Sequence, residues 1–136
     1  MINVIIGEKG TGKTARLIEA VHSAESKASG SVVFINKGKR HVLDLSHNVR
    51  LVDTEEYAIA SYDEFYGFVC GILSQNYDIA HIFVDSITKI VSDDMVALES
   101  FLDRVSVVAE QNNAEIQIIL SMNPADASEG IKKYVK

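Results

Sequence analysis

Residues 2–14 read INVIIGEKGTGKT, and this stretch decides the fold of the 136-residue chain. Residues 2–6 consist mainly of Ile and Val, which is the composition of a buried strand. Three glycines follow closely, at Gly7, Gly10 and Gly12, and apolar residues then recur at helical spacing, as at Leu17 and Val21. A buried strand, a glycine-rich turn and an amphipathic helix in this order predict an α/β fold with a mostly parallel sheet.

The glycine-rich turn has the spacing of a phosphate-binding (Walker A) loop, with four residues between Gly7 and Gly12 and then Lys13 and Thr14. Phosphates carry dense negative charge, so they bind where backbone N–H groups converge at a helix N-terminus. Glycines permit the dihedrals that this convergence needs. Lys13 supplies a charge for the β- and γ-phosphates, and we predict a catalytic role for it. The predicted nucleotide-binding residues are Gly7, Glu8, Lys9, Gly10, Thr11, Gly12, Lys13, Thr14 and Ala15.

A later strand-like segment ends in an acid, since residues 82–84 (IFV) directly precede Asp85. This is the form of a Walker B segment, whose aspartate holds magnesium, usually through water. In a phosphate-binding loop the hydroxyl at the position of Thr14 binds the same ion. We therefore predict Thr14 and Asp85 as the metal-binding residues, Asp85 also as a catalytic residue, and ATP with Mg²⁺ as the ligands.

The remaining hydrophobic pattern continues the alternation of strands and helices. Apolar runs predict further strands at residues 31–35, 49–52, 79–84 and 115–120. Ser61 and Glu64 form a capping-box pattern, which predicts the start of a helix. Another helix is expected from about Ser92, with acidic residues near the positive end of its dipole. The apolar stripes of these two helices are Tyr62, Phe65, Val69 and Ile72 in the first, and Met95, Leu98, Leu102, Val105 and Ala109 in the second.

Polar residues follow the last predicted strand, at Ser121 and Asn123. In many ATPases the strand between the two Walker strands ends in a polar residue near the γ-phosphate. We predict Asn123 as a third catalytic residue on this basis. The alternative interpretation is a polar turn before Pro124.

The phosphate-binding loop, the strand ending in Asp85 and Ser86, and a later strand with a polar tip resemble the RecA-like branch of P-loop ATPases. The resemblance covers residues 1 to about 124, and only the loop is highly specific. It implies a single three-layer P-loop domain over residues 1–136, with RecA-like strand order. In that order, the segment 113–120 lies between the strands that carry the two Walker motifs.

The chain departs from RecA-like enzymes at the glutamate that orients the attacking water. Ser86 stands at one of its two usual positions, and Asn36 at the other. Glu55 and Glu56 serve only if their loop folds back towards the phosphates. We therefore predict an ATP·Mg²⁺-binding protein whose ATPase activity is weak or dependent on a partner. A non-hydrolysing nucleotide-binding regulatory module and a small-molecule kinase remain alternatives.

Composition sets the remaining expectations. A net charge of −6 argues against broad capture of nucleic acid, and no apolar run is long enough to cross a membrane. The single cysteine, Cys70, and the lack of a signal-peptide pattern favour the cytoplasm. A homo-oligomer or a protein partner fits the missing glutamate. Arg40 and Arg104 are candidates to act as arginine fingers across a subunit interface, but we favour the alternative that both are exposed surface residues.

Overall fold

A computed structural model describes residues 1–27, 30–39 and 43–136. Its centre is a five-stranded sheet in which all strands are parallel, in the order β1-β5-β4-β2-β3. The strands are β1 (Ile2–Gly7), β2 (Ser31–Asn36), β3 (Arg50–Asp53), β4 (Ile79–Val84) and β5 (Glu115–Ser121). The predicted α/β fold with a parallel sheet is therefore confirmed, and each predicted strand is present to within one residue at either end.

Five α-helices connect or follow the strands in the described part of the chain, and two of them have a single turn. They are α1 (Lys13–Lys27), α2 (Tyr62–Gln75), α3 (Ile87–Ile90), α4 (Met95–Gln111) and α5 (Glu129–Lys132). Short 3₁₀ turns occupy Thr54–Glu56 and Pro124–Asp126. The expected helix start at Ser92 is wrong by three residues, because Asp94 caps α4 by accepting a hydrogen bond from the Ala97 amide at 3.1 Å. The single turn α3 was not predicted. No described helix has the length and apolar character needed to cross a membrane.

Each face of the sheet has its own hydrophobic core. On β2, Val32 and Phe34 face α1, whereas Val33 and Ile35 face α2 and α4. This alternation with a period of two is what a strand buried on both faces requires. The predicted helix stripes are largely buried, but Leu73 replaces Ile72 as the fully buried residue in α2.

The direction in which the chain crosses the sheet explains which helix covers which face. The connections from β1 to β2 and from β2 to β3 run towards the β3 edge, and α1 and the residues around Leu45 and Val49 cover one face. The connections to β4 and β5 run back the other way, and α2 and α4 cover the opposite face. Right-handed crossovers place helices on opposite faces when the direction reverses. The carboxyl ends of β1, β5 and β4 consequently lie side by side.

The cap of α2 agrees with the capping-box prediction in one of its two bonds. The Ser61 hydroxyl accepts a hydrogen bond from the Glu64 amide at 3.1 Å, as expected. The Glu64 carboxylate, however, accepts from the amide of Ala60 at 2.6 Å, one residue before the position that a capping box uses. Both bonds satisfy amides at the start of the helix, so the predicted boundary is correct.

The outer edge of β1 is joined to the C-terminal segment. Val135 forms a parallel bridge with Val4, whose amide donates to the Tyr134 carbonyl at 2.8 Å. The Tyr134 hydroxyl donates to the Asp103 carboxylate of α4 at 2.6 Å, and this bond holds the pKa of Asp103 below its usual value. The strand that leads into the glycine-rich loop is thus anchored on both sides.

Candidate functional site

The glycine-rich loop, defined as residues 8–12, joins the end of β1 to the start of α1. Gly10 and Gly12 have φ values of +84° and +82°. L-residues with a Cβ rarely adopt this left-handed region, which explains why glycine occupies both positions. The first residue of α1 is Lys13, so the helix N-terminus begins where the loop ends.

The Lys13 side chain folds back over the loop. Its ammonium group donates to the Glu8 carbonyl at 2.7 Å, and the Thr11 hydroxyl donates to the same oxygen at 2.7 Å. Only 6% of Lys13 is exposed. Burial lowers the pKa of Lys13 below its usual value, an effect that the Asp85 carboxylate opposes and the Lys89 ammonium reinforces.

Asp85 directly follows β4 and is almost completely buried. Its amide donates to the Ile35 carbonyl of β2 at 3.0 Å, which fixes its backbone at the carboxyl edge of the sheet. One carboxylate oxygen accepts from the Ser86 hydroxyl at 3.0 Å and lies 3.5 Å from the Thr14 hydroxyl. The fold therefore brings together the two predicted metal-binding residues, which are 71 positions apart in sequence.

Ser86 adopts a left-handed conformation, with φ 57° and ψ 59°, immediately before α3. Such a conformation costs a non-glycine residue about 1–2 kcal/mol, and strained residues of this kind concentrate at functional sites. Here it turns the chain sharply after Asp85, so that the serine hydroxyl reaches the carboxylate of its own neighbour.

Two clefts lie beside the glycine-rich loop. The first cleft has a volume of about 270 Å³, and the second a volume of about 370 Å³. The first is lined by Lys9, Gly10, Gly12, Lys13, Thr14, Ala15, Ser86, Ile119 and Ser121. The second is lined by Ile6, Gly7, Glu8, Thr11, Arg16, Asn123 and Pro124. The predicted nucleotide-binding residues thus all border one cleft or the other.

The two polar candidates, at the end of β5 and just after it, line different clefts. Ser121 lines the first cleft together with Lys13. Asn123 lines the second cleft, and its side-chain oxygen accepts from the Ala125 amide at 3.0 Å, which caps the 3₁₀ turn that follows. Ser121 is therefore the residue beside Lys13, while Asn123 also has the turn-forming role that the alternative interpretation described.

Among the described residues, no glutamate lines the first cleft. Asn36, at the tip of β2, is fully buried, and its side-chain oxygen accepts from the Lys37 amide at 2.9 Å. Glu55 and Glu56 are exposed in the turn after β3 and border neither cleft. A Cβ built at Gly38 would lie 3.1 Å from the Glu55 carboxylate, so Glu55 sits beside the loop after β2.

Arg104, the arginine candidate that lies within the described residues, lines neither cleft. Arg104 forms an ion pair with Asp63 at 2.7 Å and stacks on the Tyr66 ring at 4.0 Å, so it joins α4 to α2. Arg40 lies outside the described residues. The sequence reasoning missed Lys89, which is close enough to influence the pKa of Lys13. Its only signal in the sequence is its place four residues after Asp85.

Similarity to known proteins adds nothing to this geometry. The sequence matches no protein-family model, and no curated protein is significantly similar to it. The functional inference therefore rests on the residues around the two clefts.

The left-handed glycines yield a prediction about stability. A Cβ at Gly12 or at Gly67 in α2 meets no atom within 4 Å, so the two positions differ only in backbone conformation. We expect Gly12→Ala to lower the free energy of unfolding by about 1–2 kcal/mol, and Gly67→Ala to raise it by about 0.5–1 kcal/mol. Urea denaturation of both variants measures this. A Gly12→Ala variant at least as stable as the wild type would contradict the assignment of strain to Gly12.

Proposed function

We propose that this chain is a RecA-like P-loop protein that binds ATP·Mg²⁺ at residues 7–15, with hydrolysis that is slow or dependent on a partner. The observation that carries the proposal is the 3.5 Å contact between the Thr14 hydroxyl and the Asp85 carboxylate, directly beside Lys13. Nucleotide phosphates and their metal require a glycine-rich loop, a lysine and a hydroxyl at a helix N-terminus, and an acid from another strand of the same sheet. The position of β5 between β1 and β4 supports the RecA-like assignment.

The residues at the end of the loop suit a triphosphate. Lys13 is the buried cation of the first cleft, and Lys9 lines the same cleft. The N-terminus of α1 adds the partial positive charge of the helix dipole. A ligand with several negative oxygens therefore fits this cleft better than a neutral ligand of the same size.

Magnesium fits the oxygen donors of Thr14 and Asp85. The described residues contain no group of three or more His, Cys, Asp or Glu side chains that would hold a metal by themselves. Magnesium usually takes one or two carboxylates and completes its shell with water and phosphate oxygens, so two protein oxygens suffice. When bound, the ion would neutralise part of the charge on the phosphates.

We expect slow hydrolysis because the first cleft lacks, among the described residues, a glutamate to orient the attacking water. The Asp85 carboxylate accepts from Ser86 and contacts Thr14. A partner protein or a second copy would have to supply the water-orienting group for rapid turnover. Without one, the protein acts as a nucleotide-binding module whose state changes with the ligand.

Lys13→Ala tests the loop assignment directly. Removing a charged hydrogen-bond donor costs about 1.5–3 kcal/mol, so we expect ATP affinity to fall by at least about tenfold. Lys9→Ala, which removes an exposed cation from the same cleft, should have a smaller effect. Isothermal titration calorimetry measures both. Equal affinity of wild type and Lys13→Ala would refute the proposed phosphate contact.

Asp85→Asn tests the metal assignment. The substitution keeps the size of the side chain and removes its charge, so the gain in ATP affinity on adding Mg²⁺ should shrink by about tenfold. Binding of ATP in EDTA should be unchanged or tighter, because a negative charge near the phosphates is gone. If the gain from magnesium persists at its wild-type size, Asp85 does not hold the ion.

The lowered pKa of Lys13 predicts a pH dependence of binding. Phosphates favour the charged lysine, so ATP affinity should decrease as the pH rises through the lowered pKa, at a pH below the usual range of lysine. Lys13→Arg keeps its charge throughout and should show a flatter profile. Titrations from pH 7 to pH 10 compare the two, and parallel profiles would contradict the role of Lys13.

The proposed function as a whole is tested by titrating the purified protein with ATP and ADP, with and without magnesium, and then measuring phosphate release. Magnesium-dependent binding with slow release is the expected result. Release at tens of turnovers per second without any partner would require a water-orienting group that the first cleft does not contain. Transfer of phosphate to a small acceptor would instead identify a kinase.

A further inference from the structure

A large cavity lies away from the loop, between α2 and the edge strand β3. This α2–β3 groove has a volume of about 720 Å³, within the range of ligand and docking sites. Its floor is apolar, with Val33, Val52 and Ile79 from three neighbouring strands. Two aromatic rings, Tyr57 and Phe68, border it with their centroids 5.2 Å apart.

The groove is bordered on one side by α2 and on the other by the edge strand β3. The helix connects β3 to β4 and packs against α4, so it covers the middle strands and leaves β3 partly uncovered. Gly71 of α2 lines the groove, and a Cβ at this position meets nothing within 4 Å. Glycine weakens a helix, and no described part of the chain uses the space that Gly71 leaves.

The charge of the groove differs from that of the whole protein. Its polar lining consists of Arg50 and the side-chain amides of Asn48, Gln75 and Asn76. None of the described residues that line it is acidic, although the chain carries a net charge of −6. A complementary occupant therefore brings an apolar or aromatic group for the floor and a carboxylate for Arg50.

The chain itself presents such an occupant next to the groove. Tyr77, in the turn between α2 and β4, is 96% exposed, and the acidic Asp78 follows it. The turn is well fixed, because the Asp78 amide donates to the Asn76 side chain at 2.8 Å and the Ser31 amide donates to the Asp78 carbonyl at 2.6 Å. An aromatic ring on a fixed turn docks with little loss of conformational entropy.

We propose that a second copy of this chain docks on the α2–β3 groove, so that Tyr77 of each copy enters the groove of the other and Asp78 faces Arg50 across the interface. A two-fold axis makes such a contact reciprocal, which provides two buried aromatic anchors and two opposite-charge pairs. The groove is lined by residues at the amino ends of β2, β3 and β4, whereas the loop lies at the carboxyl edge. Dimerisation therefore leaves both clefts accessible, and the inference does not depend on the proposed function.

Sedimentation equilibrium of the full chain over micromolar concentrations tests this inference. The wild type should be a reversible dimer, and Tyr77→Ser should raise the dimer dissociation constant by at least about tenfold, as for a central aromatic anchor. Leu43→Ser is the matched control, because Leu43 is also 96% exposed and does not line the groove. Gly71→Leu should fill the groove and give a monomer; its thermal unfolding confirms that the variant is folded.

Charge reversal tests the register of the contact. Arg50→Glu should weaken the dimer, and adding Asp78→Arg in the same chain should restore it. A wild type that stays monomeric at about 100 µM, roughly a hundred times a dissociation constant of 1 µM, would overturn the proposal and leave the groove to another occupant. It would equally be overturned if Leu43→Ser weakened the dimer as much as Tyr77→Ser did, or if the double charge reversal failed to restore association.

Discussion

The buried carboxylate of Asp85 is the constraint on which the arrangement around the loop depends. An ionised carboxylate is costly to bury unless hydrogen-bond donors surround it. Asp85 meets this requirement with donors from different parts of the chain: the Ser86 hydroxyl at 3.0 Å and the more distant Thr14 hydroxyl at 3.5 Å. Its own amide is bonded to β2. Burying this charge without a large energetic cost therefore fixes the relative positions of the end of β4, the start of α1 and the tip of β2.

The parallel sheet separates two kinds of surface. Its carboxyl edge collects polar groups, because β1, β5 and β4 end side by side at Gly7, Ser121 and Val84. Its amino end near β3 carries an apolar floor, formed by Val33, Val52 and Ile79. A substitution on one of these surfaces is therefore expected to have little direct effect on the other, since the hydrophobic cores lie between them.

Much of the fold and part of the site were predictable from local sequence signals. The loop between β1 and α1 was predictable because glycine spacing, a lysine and a strand composition all act within a few residues. The start of α2 was predictable from Ser61 and Glu64 for the same reason. The left-handed turn at Ser86 and the helical turn after it could not be predicted, because the strain at Ser86 is offset by a hydrogen bond to a carboxylate that only tertiary structure buries. The bridge between Val4 and Val135 and the groove beside Gly71 likewise depend on contacts between distant segments.

The bond between Lys13 and the Glu8 carbonyl means that the lysine is already satisfied by its own loop. Any anion that uses Lys13 has to displace a neutral carbonyl oxygen, so binding is an exchange of acceptors and its free energy is a difference between two bonds. A phosphate oxygen wins such a competition because its negative charge attracts the ammonium group directly, whereas the carbonyl oxygen offers the ammonium only a dipole. A neutral acceptor has no such advantage. The Glu8 carbonyl therefore competes with any ligand for Lys13, and only a negatively charged ligand is expected to displace it. When no anion is bound, the same carbonyl keeps the buried ammonium group hydrogen-bonded.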